Sequence, residues 1–300
     1  MKRVLVVLLL LMSTAGLMAW EWEPFSTEGA PEISWDGDFH VAFNPVLNHF
    51  LFTIESETLH TVETWKLERR KWTLLTSNSS QYTDLYYGDM FYDPTLQTML
   101  DFRWVGSADT LVYKWNDETV EWELFETLPG PVDVIAYDSD RGVYVLPGTI
   151  CPVRDQYRYC TLEWDTSMVT ISENTVISDH NGFSYDPAIQ RSVMFNDYPI
   201  WQWDGVEWTE VPSPTIPMYF FISSVYSPSH EGIVIITGLH VLLFKDYSWS
   251  YLMENVFADA FHAKMVYNTD DEKVYAFSSL GTIFAYRLVN HTHSRPFGKP

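Results

Sequence analysis

Acids and imidazoles recur at one kind of position along this 300-residue chain. Asp38 and His40, then Asp89, Asp133, Asp179 with His180 and Asn181, Ser223, and finally His262 and Lys264 occupy it. Each group stands just ahead of a stretch that reads apolar, aromatic, then Asp, Asn or Ser. If the six segments converge, their side chains can hold a cation, a sugar or a basic peptide group. Imidazole and carboxylate are ordinary ligands for divalent metals. Two carboxyls about 5–5.5 Å or about 6.5–9.5 Å apart would also supply the acid and base for glycoside cleavage. A plainer role is open as well, in which these polar residues only hydrate an entrance.

What must position them is a repeat. The phrase appears as Val41-Ala42-Phe43-Asn44-Pro45, Met90-Phe91-Tyr92-Asp93-Pro94 and Ile135-Ala136-Tyr137-Asp138-Ser139. It returns as Phe183-Ser184-Tyr185-Asp186-Pro187, Ser224-Val225-Tyr226-Ser227-Pro228 and Met265-Val266-Tyr267-Asn268-Thr269. The aromatics are spaced by 49, 45, 48, 41 and 41 residues. Asx followed by Pro makes a tight turn, because the Asx side chain bonds the backbone ahead and Pro presets φ. A second strand follows each turn, as in Phe50-Leu51-Phe52-Thr53-Ile54 or Thr98-Met99-Leu100-Asp101-Phe102. A third ends near Trp65, Trp115, Trp164, Trp203, Phe244 or Tyr286, and a fourth opens with Trp72, Trp122, Trp208 or Trp249. The third unit has Met168-Val169-Thr170-Ile171 there and no Trp.

Four short strands in each unit of 40–50 residues is the grammar of a propeller blade. The chain is therefore expected to be all-β: a six-bladed β-propeller of four-stranded antiparallel blades. A β-sandwich, the competing fold, does not restart one phrase six times. In a propeller the first strand of each blade lines the central channel, so the polar groups above would gather at one mouth. The sixth unit lacks a fourth strand. Trp20-Glu21-Trp22-Glu23-Pro24-Phe25 matches that strand in type, so the N-terminal strand is expected to close the ring.

Phe183-Ser184-Tyr185-Asp186-Pro187 through Trp201-Gln202-Trp203-Asp204-Gly205-Val206-Glu207-Trp208 resembles a bacterial Kelch-type repeat, as in galactose-oxidase-like propellers. The resemblance spans nearly the whole chain after residue 19, and it implies a fold rather than an activity. The paired glycines of a Kelch unit are represented only by Leu146-Pro147-Gly148 and Thr237-Gly238. The copper set of galactose oxidase, Tyr and His with a Tyr–Cys crosslink, has no counterpart.

The N-terminus reads as a secretory signal: basic Lys2-Arg3, apolar Val4 to Met12, then small residues. Cleavage is expected after Ala19, with Ala15 as the alternative. That division gives residues 1–19 as signal, 20–290 as one propeller domain and 291–300 as a tail. The apolar run is too short to span a bilayer, and no later segment qualifies, so an exported protein, periplasmic or extracellular, is expected. Its 40 acids against 18 bases give a net charge of −22, which becomes −24 once Lys2 and Arg3 are removed. Such a charge repels phosphate backbones and anionic lipid, which excludes nucleic acid as a partner. An aromatic fraction of 16% suits pleated, half-buried surfaces.

Catalytic signatures are missing. His230-Glu231-Gly232 opens like a zinc-protease helix but no second His follows, and no nucleophile elbow or phosphate loop is present. Asp138-Ser139-Asp140 with Gly142 reads as a strand turn rather than a calcium loop. His291 and His293 fall in the tail. Cys151 and Cys160 are expected in a loop between the second and third strands of the third unit, bridged in an oxidising compartment. Such a bridge is worth about 2.7 kcal/mol in the chain-entropy model. The Trp and Tyr columns recur in register and are read as packing between blades. Tyr86, Tyr87, Trp104, Tyr157, Tyr198 and Tyr219 lie outside that register and are candidate ligand platforms. The function expected is that of a monomeric, cofactor-free binding module for a carbohydrate, protein or small ligand, with a bound cation allowed. The alternative is a carbohydrate-active hydrolase or lyase.

Overall fold

Every Asx phrase becomes the first hairpin of a four-stranded antiparallel sheet, and the computed structural model sets six such sheets in a ring, a six-bladed β-propeller. The structure describes residues 20–24, 27–31, 39–56, 61–79, 88–104, 109–131, 134–153, 156–176, 182–195, 199–214, 223–238, 240–254, 263–279 and 283–290. Residues 1–19, expected as a signal, and 291–300, expected as a tail, lie outside them. Strand β1 (Trp20–Pro24) comes first in the chain but belongs to the last blade. Blade 1 is β2 (Phe39–Asn44), β3 (His49–Ser56), β4 (Thr61–Glu68) and β5 (Lys71–Ser79). Blade 2 is β6 (Gly88–Asp93), β7 (Thr98–Trp104), β8 (Asp109–Asn116) and β9 (Glu121–Pro129). Blade 3 is β10 (Ala136–Asp138), β11 (Val143–Val153), β12 (Gln156–Trp164) and β13 (Val169–Ser172). Blade 4 is β14 (Gly182–Asp186), β15 (Arg191–Phe195), β16 (Ile200–Trp203) and β17 (Trp208–Val211). Blade 5 is β18 (Ser223–Ser227), β19 (Gly232–Ile236), β20 (His240–Lys245) and β21 (Ser248–Glu254). Blade 6 is β22 (Lys264–Asn268), β23 (Lys273–Ser279) and β24 (Ile283–Asn290), completed by β1 in the order β1-β24-β23-β22.

The N-terminal strand thus closes the ring as its sequence implied. Trp20 stands opposite Asn290 and Pro24 opposite Tyr286. Trp22 is buried among Val234 and Ile236 of blade 5 and Val274, Ala276 and Leu288 of blade 6. Glu23 pairs with Arg287. The chain then straps the outer edge of blade 1: Glu28 N–H donates to the Arg70 carbonyl (2.9 Å) and its carbonyl accepts from Trp72 N–H (3.0 Å).

The phrase itself explains its persistence. Asn44, Asp93, Asp138 and Asn268 each turn Oδ1 back to accept the backbone N–H groups two and three residues on, and Asp186 accepts the Ala188 N–H. The last residue of all six turns is left-handed: Asn48, Gln97, Gly142, Gln190, Glu231 and Glu272. Such Asx turns orient the two strands while satisfying buried donors.

The hydrophobic core lies between blades rather than within one sheet. Its six clusters each join two neighbours around the ring, for example Leu51 with Met90, Met99 and Trp115 between blades 1 and 2. The Trp columns belong to this packing. Trp122 Nε1 donates to Thr64 Oγ1 of blade 1 (2.9 Å), and Trp208 Nε1 to Thr161 Oγ1 of blade 3 (2.8 Å).

One expectation is corrected. Cys151 and Cys160 do not sit in a loop, because β11 and β12 run on through them, with Cys151 opposite Arg158 and Thr149 opposite Cys160. Thr149, Ile150, Val153, Tyr157 and Tyr159 are β-branched or aromatic and favour the extended ladder over a loop. Cys160 is fully buried.

Candidate functional site

The alternation of connections gives the ring two unlike ends. At one end lie the Asx turns, each of four residues. The strands leave from the other end through blade-to-blade connections of six to fourteen residues. Four of the sequence-predicted polar residues are described at this second end, at the starts of the inner strands. Asp38, Asp133, Asp179, His180, Asn181 and His262 lie outside the described residues. The remaining four, His40, Asp89, Ser223 and Lys264, occupy one equivalent position, four residues before Asn44, Asp93, Ser227 and Asn268 of blades 1, 2, 5 and 6.

They stand inside the inner strands, not ahead of them, and they differ in exposure. His40 is buried, at 2% exposure. Asp89 and Lys264 are half-buried. Asp89 Oδ1 accepts the N–H of Met90 (3.0 Å), and Ser223 Oγ accepts the N–H of Met265 in blade 6 (3.0 Å). Beside Ser223, Ser224 Oγ meets Ser184 Oγ of blade 4 (2.8 Å).

His40 anchors a buried polar cluster that spans blades 1 and 2. Its Nδ1 lies 2.6 Å from Asp101 Oδ1, and since an ionised carboxylate only accepts, Nδ1 carries the shared proton. Thr53 Oγ1 (3.1 Å) and Arg103 Nε (2.7 Å) both donate to Asp101 Oδ2. Asp101 is fully buried. Burial works to raise its pKa, but the Arg103 guanidinium and the His40 ring outweigh that and hold the carboxyl below its ordinary range. Arg103 in turn lies over the rings of Tyr113 (4.5 Å) and Trp122 (5.5 Å). Gly88, at φ +139°, closes the cluster from β6: a Cβ there would strike the Phe102 carbonyl and come within 3.1 Å of His40 Cε1. Only glycine lets β6 approach so closely.

Sequence reasoning missed Asp101, Thr53 and Arg103, which lie in second strands otherwise read as core. A signal existed. The positions equivalent to Asp101 in the other blades are Phe52, Leu146, Met194, Ile235 and Ala276, so one acid replaces five apolar residues. Of the rings outside the repeat register, Trp104 is half-buried at the end of β7, beside Arg103. Tyr86, Tyr87, Tyr198 and Tyr219 lie outside the described residues.

Among the described residues no group of three or more His, Cys, Asp or Glu is placed to hold a metal, and no helix is long and apolar enough to cross a membrane. No family model matches the sequence, so the Kelch resemblance stands on the phrases quoted above. No curated protein matches it either. Solved structures share the fold. An auxiliary nutrient binding protein of Bacteroides ovatus aligns with a TM-score of 0.62 at 7% identity, over 91% of this chain and 77% of that one. A gluconolactonase of Xanthomonas campestris aligns with a TM-score of 0.55 at 10% identity, over 91% of this chain and 96% of that one. A Bacteroides thetaiotaomicron protein of unknown function gives 0.55 at 10% identity, over 90% and 76%. At these identities the likeness is one of fold.

Proposed function

We propose that this protein is an exported, Kelch-like β-propeller that binds a ligand at the channel mouth where the inner strands begin. The observation that carries this reading is the contrast between constant four-residue inner hairpin turns at one end and blade-to-blade connections of six to fourteen residues at the other. Scaffold ends repeat, and binding loops diverge. The divergent end also gathers Asp89, Lys264 and the buried His40–Asp101 pair, and its connections carry Asp38, Asp133, Asp179, His180 and His262. His40 acts there as a positioning residue, fixed by Asp101, while Asp89 and Lys264 are the half-buried groups that face a ligand. Export rests on residues 1–19, and a Cys151–Cys160 bridge, diagonal across the β11–β12 ladder, belongs to the same oxidising compartment. The chain acts as a monomer without a resident cofactor. That one fold neighbour is named a nutrient binding protein agrees with a binding role.

The test is a thermal-shift screen of purified protein against soluble glycans and calcium, magnesium and zinc chlorides. At least one should raise the melting temperature. The shift should vanish in an Asp89→Asn, Lys264→Met double variant whose ligand-free melting temperature is unchanged. No shift from any member would overturn the reading, and turnover of a glycan would replace it with the hydrolase or lyase alternative.

A further inference from the structure

Each blade ends in an outer edge strand, and two of these edges contrast. Between Thr61 and Ser79, β4, β5 and their turn carry Lys66, Arg69, Arg70 and Lys71 against Glu63 and Glu68. That basic edge is covered by the chain's own acidic strap, where Glu28 pairs in parallel with Lys71 through two backbone hydrogen bonds. The corresponding stretch of blade 2, from Asp109 to Pro129, reverses the charge. It carries Asp109, Asp117, Glu118, Glu121, Glu123 and Glu126 against Lys114 alone. All six acids are exposed.

The edge strand β9 is nine residues long and shows apolar anchors between its acids: Leu124 is 58% and Phe125 37% exposed. Thr127 N–H donates to the side chain of its own neighbour, Glu126 Oε1 (2.9 Å). β9 is the last strand of its sheet, and such an edge is a template for another strand. Main-chain bonds supply affinity in such pairing, and alternate side chains supply specificity.

We propose that β9 is a docking edge for a basic, extended segment of a partner polypeptide, added to blade 2 as the Glu28 strap is added to blade 1. Lysines or arginines on one side of the incoming strand meet Glu121, Glu123 and Glu126, and apolar residues between them cover Leu124 and Phe125. The site is separate from the channel mouth and does not depend on it.

A labelled Lys-Val-Lys-Val-Lys-Val-Lys peptide tests this, with Glu-Val-Glu-Val-Glu-Val-Glu as control. Fluorescence anisotropy should show binding of the basic peptide alone, weakening with salt, and hydrogen exchange should slow at β9 amides. Reversing the three acids (Glu121→Lys, Glu123→Lys, Glu126→Lys) should weaken binding about tenfold or more, since charge complementarity governs partner choice. Thr127→Pro, which removes an edge donor and no charge, should weaken it as well. The proposal is overturned if the basic peptide does not bind, if both peptides bind alike, or if protection appears away from β9. It is overturned too if neither variant changes affinity, or if β9 is protected by a second copy of the chain without peptide.

Discussion

The two ends of the ring are built on opposite plans. At the turn end the six inner hairpin turns have one length, and every one finishes on a left-handed residue. Neighbouring blades are also tied there by the same residue types. Tyr144 of blade 3 donates its hydroxyl to Asp93 of blade 2 (2.9 Å), and burial followed by Asp93 pushes the Tyr144 pKa up. Arg141 bridges Asp138 (2.6 Å) and Glu163 (2.7 Å) within blade 3, where Trp203 of blade 4 also donates to Glu163. At the loop end the blade-to-blade connections range from six to fourteen residues, and among the described residues a dense buried polar cluster, around Asp101, joins blades 1 and 2. Repetition marks what every blade needs to fold, and departure from repetition marks what one place needs to do. Substitutions at the turn end should therefore change stability and leave ligand binding alone, while exposed substitutions at the loop end do the reverse.

Asp101 is where that rule bends, because it is buried at the loop end. Asp101→Ala leaves His40, Thr53 and Arg103 without their common acceptor, and losing one partner of a buried charged set costs about 3–5 kcal/mol. Chemical denaturation should show that loss together with weaker ligand binding, since His40 loses its orientation. The carboxyl is held below its ordinary range, so its contribution is present at neutral pH and lost only as pH falls through the folded value. If binding weakens while stability is unchanged, Asp101 belongs to the loop end alone. If stability falls while binding persists, it belongs to the scaffold alone.

The turn end gives the next largest effect. Asp93 accepts Thr95 N–H, Leu96 N–H and the Tyr144 hydroxyl. Asp93→Ala takes the acceptor from all three donors and should cost about 2 kcal/mol. Equilibrium denaturation measures the loss, and titration with a ligand from the thermal-shift screen should find affinity unchanged.

The sequence was most readable where structure is local and repeated. Asx turns, the strands that flank them and the missing sixth outer strand all announce themselves within a few residues. It was least readable where a long-range contact decides. His40 meets Asp101 across 61 residues of chain, so neither residue alone reveals the pair. The cysteines were misplaced for a related reason: periodicity shows where a strand begins better than where it stops. Comparison among the units carries the remaining information, since an acid in one blade against apolar residues in five marks Asp101 without any structure.

The smallest effect has the opposite sign. Asp186 occupies the same turn position as Asp93, yet blade 5 offers no tyrosine hydroxyl like that of Tyr144. The equivalent residue is Ile233, which is fully buried. Asp186 is only 1% exposed, and its Oδ2 is buried without a hydrogen-bond partner. Burial, and then the charge of Asp246, raise its pKa against the pull of the Ala188 and Ile189 N–H groups. A carboxyl with a raised folded pKa opposes folding once it ionises; that penalty is full above the folded value and declines as pH falls from there toward the ordinary carboxyl value. Asp186→Asn keeps the Oδ1 acceptor, as Asn44 and Asn268 show at the same position, and removes the buried charge. The variant should be more stable than the wild type by about 1 kcal/mol at neutral pH, because an amide in that place costs less to bury than a carboxylate. The advantage should shrink as pH is lowered and vanish below the ordinary carboxyl range. Thermal denaturation across that span measures it. A variant less stable than wild type at neutral pH would show that the Asp186 charge is used, and that the turn end is less uniform than its geometry.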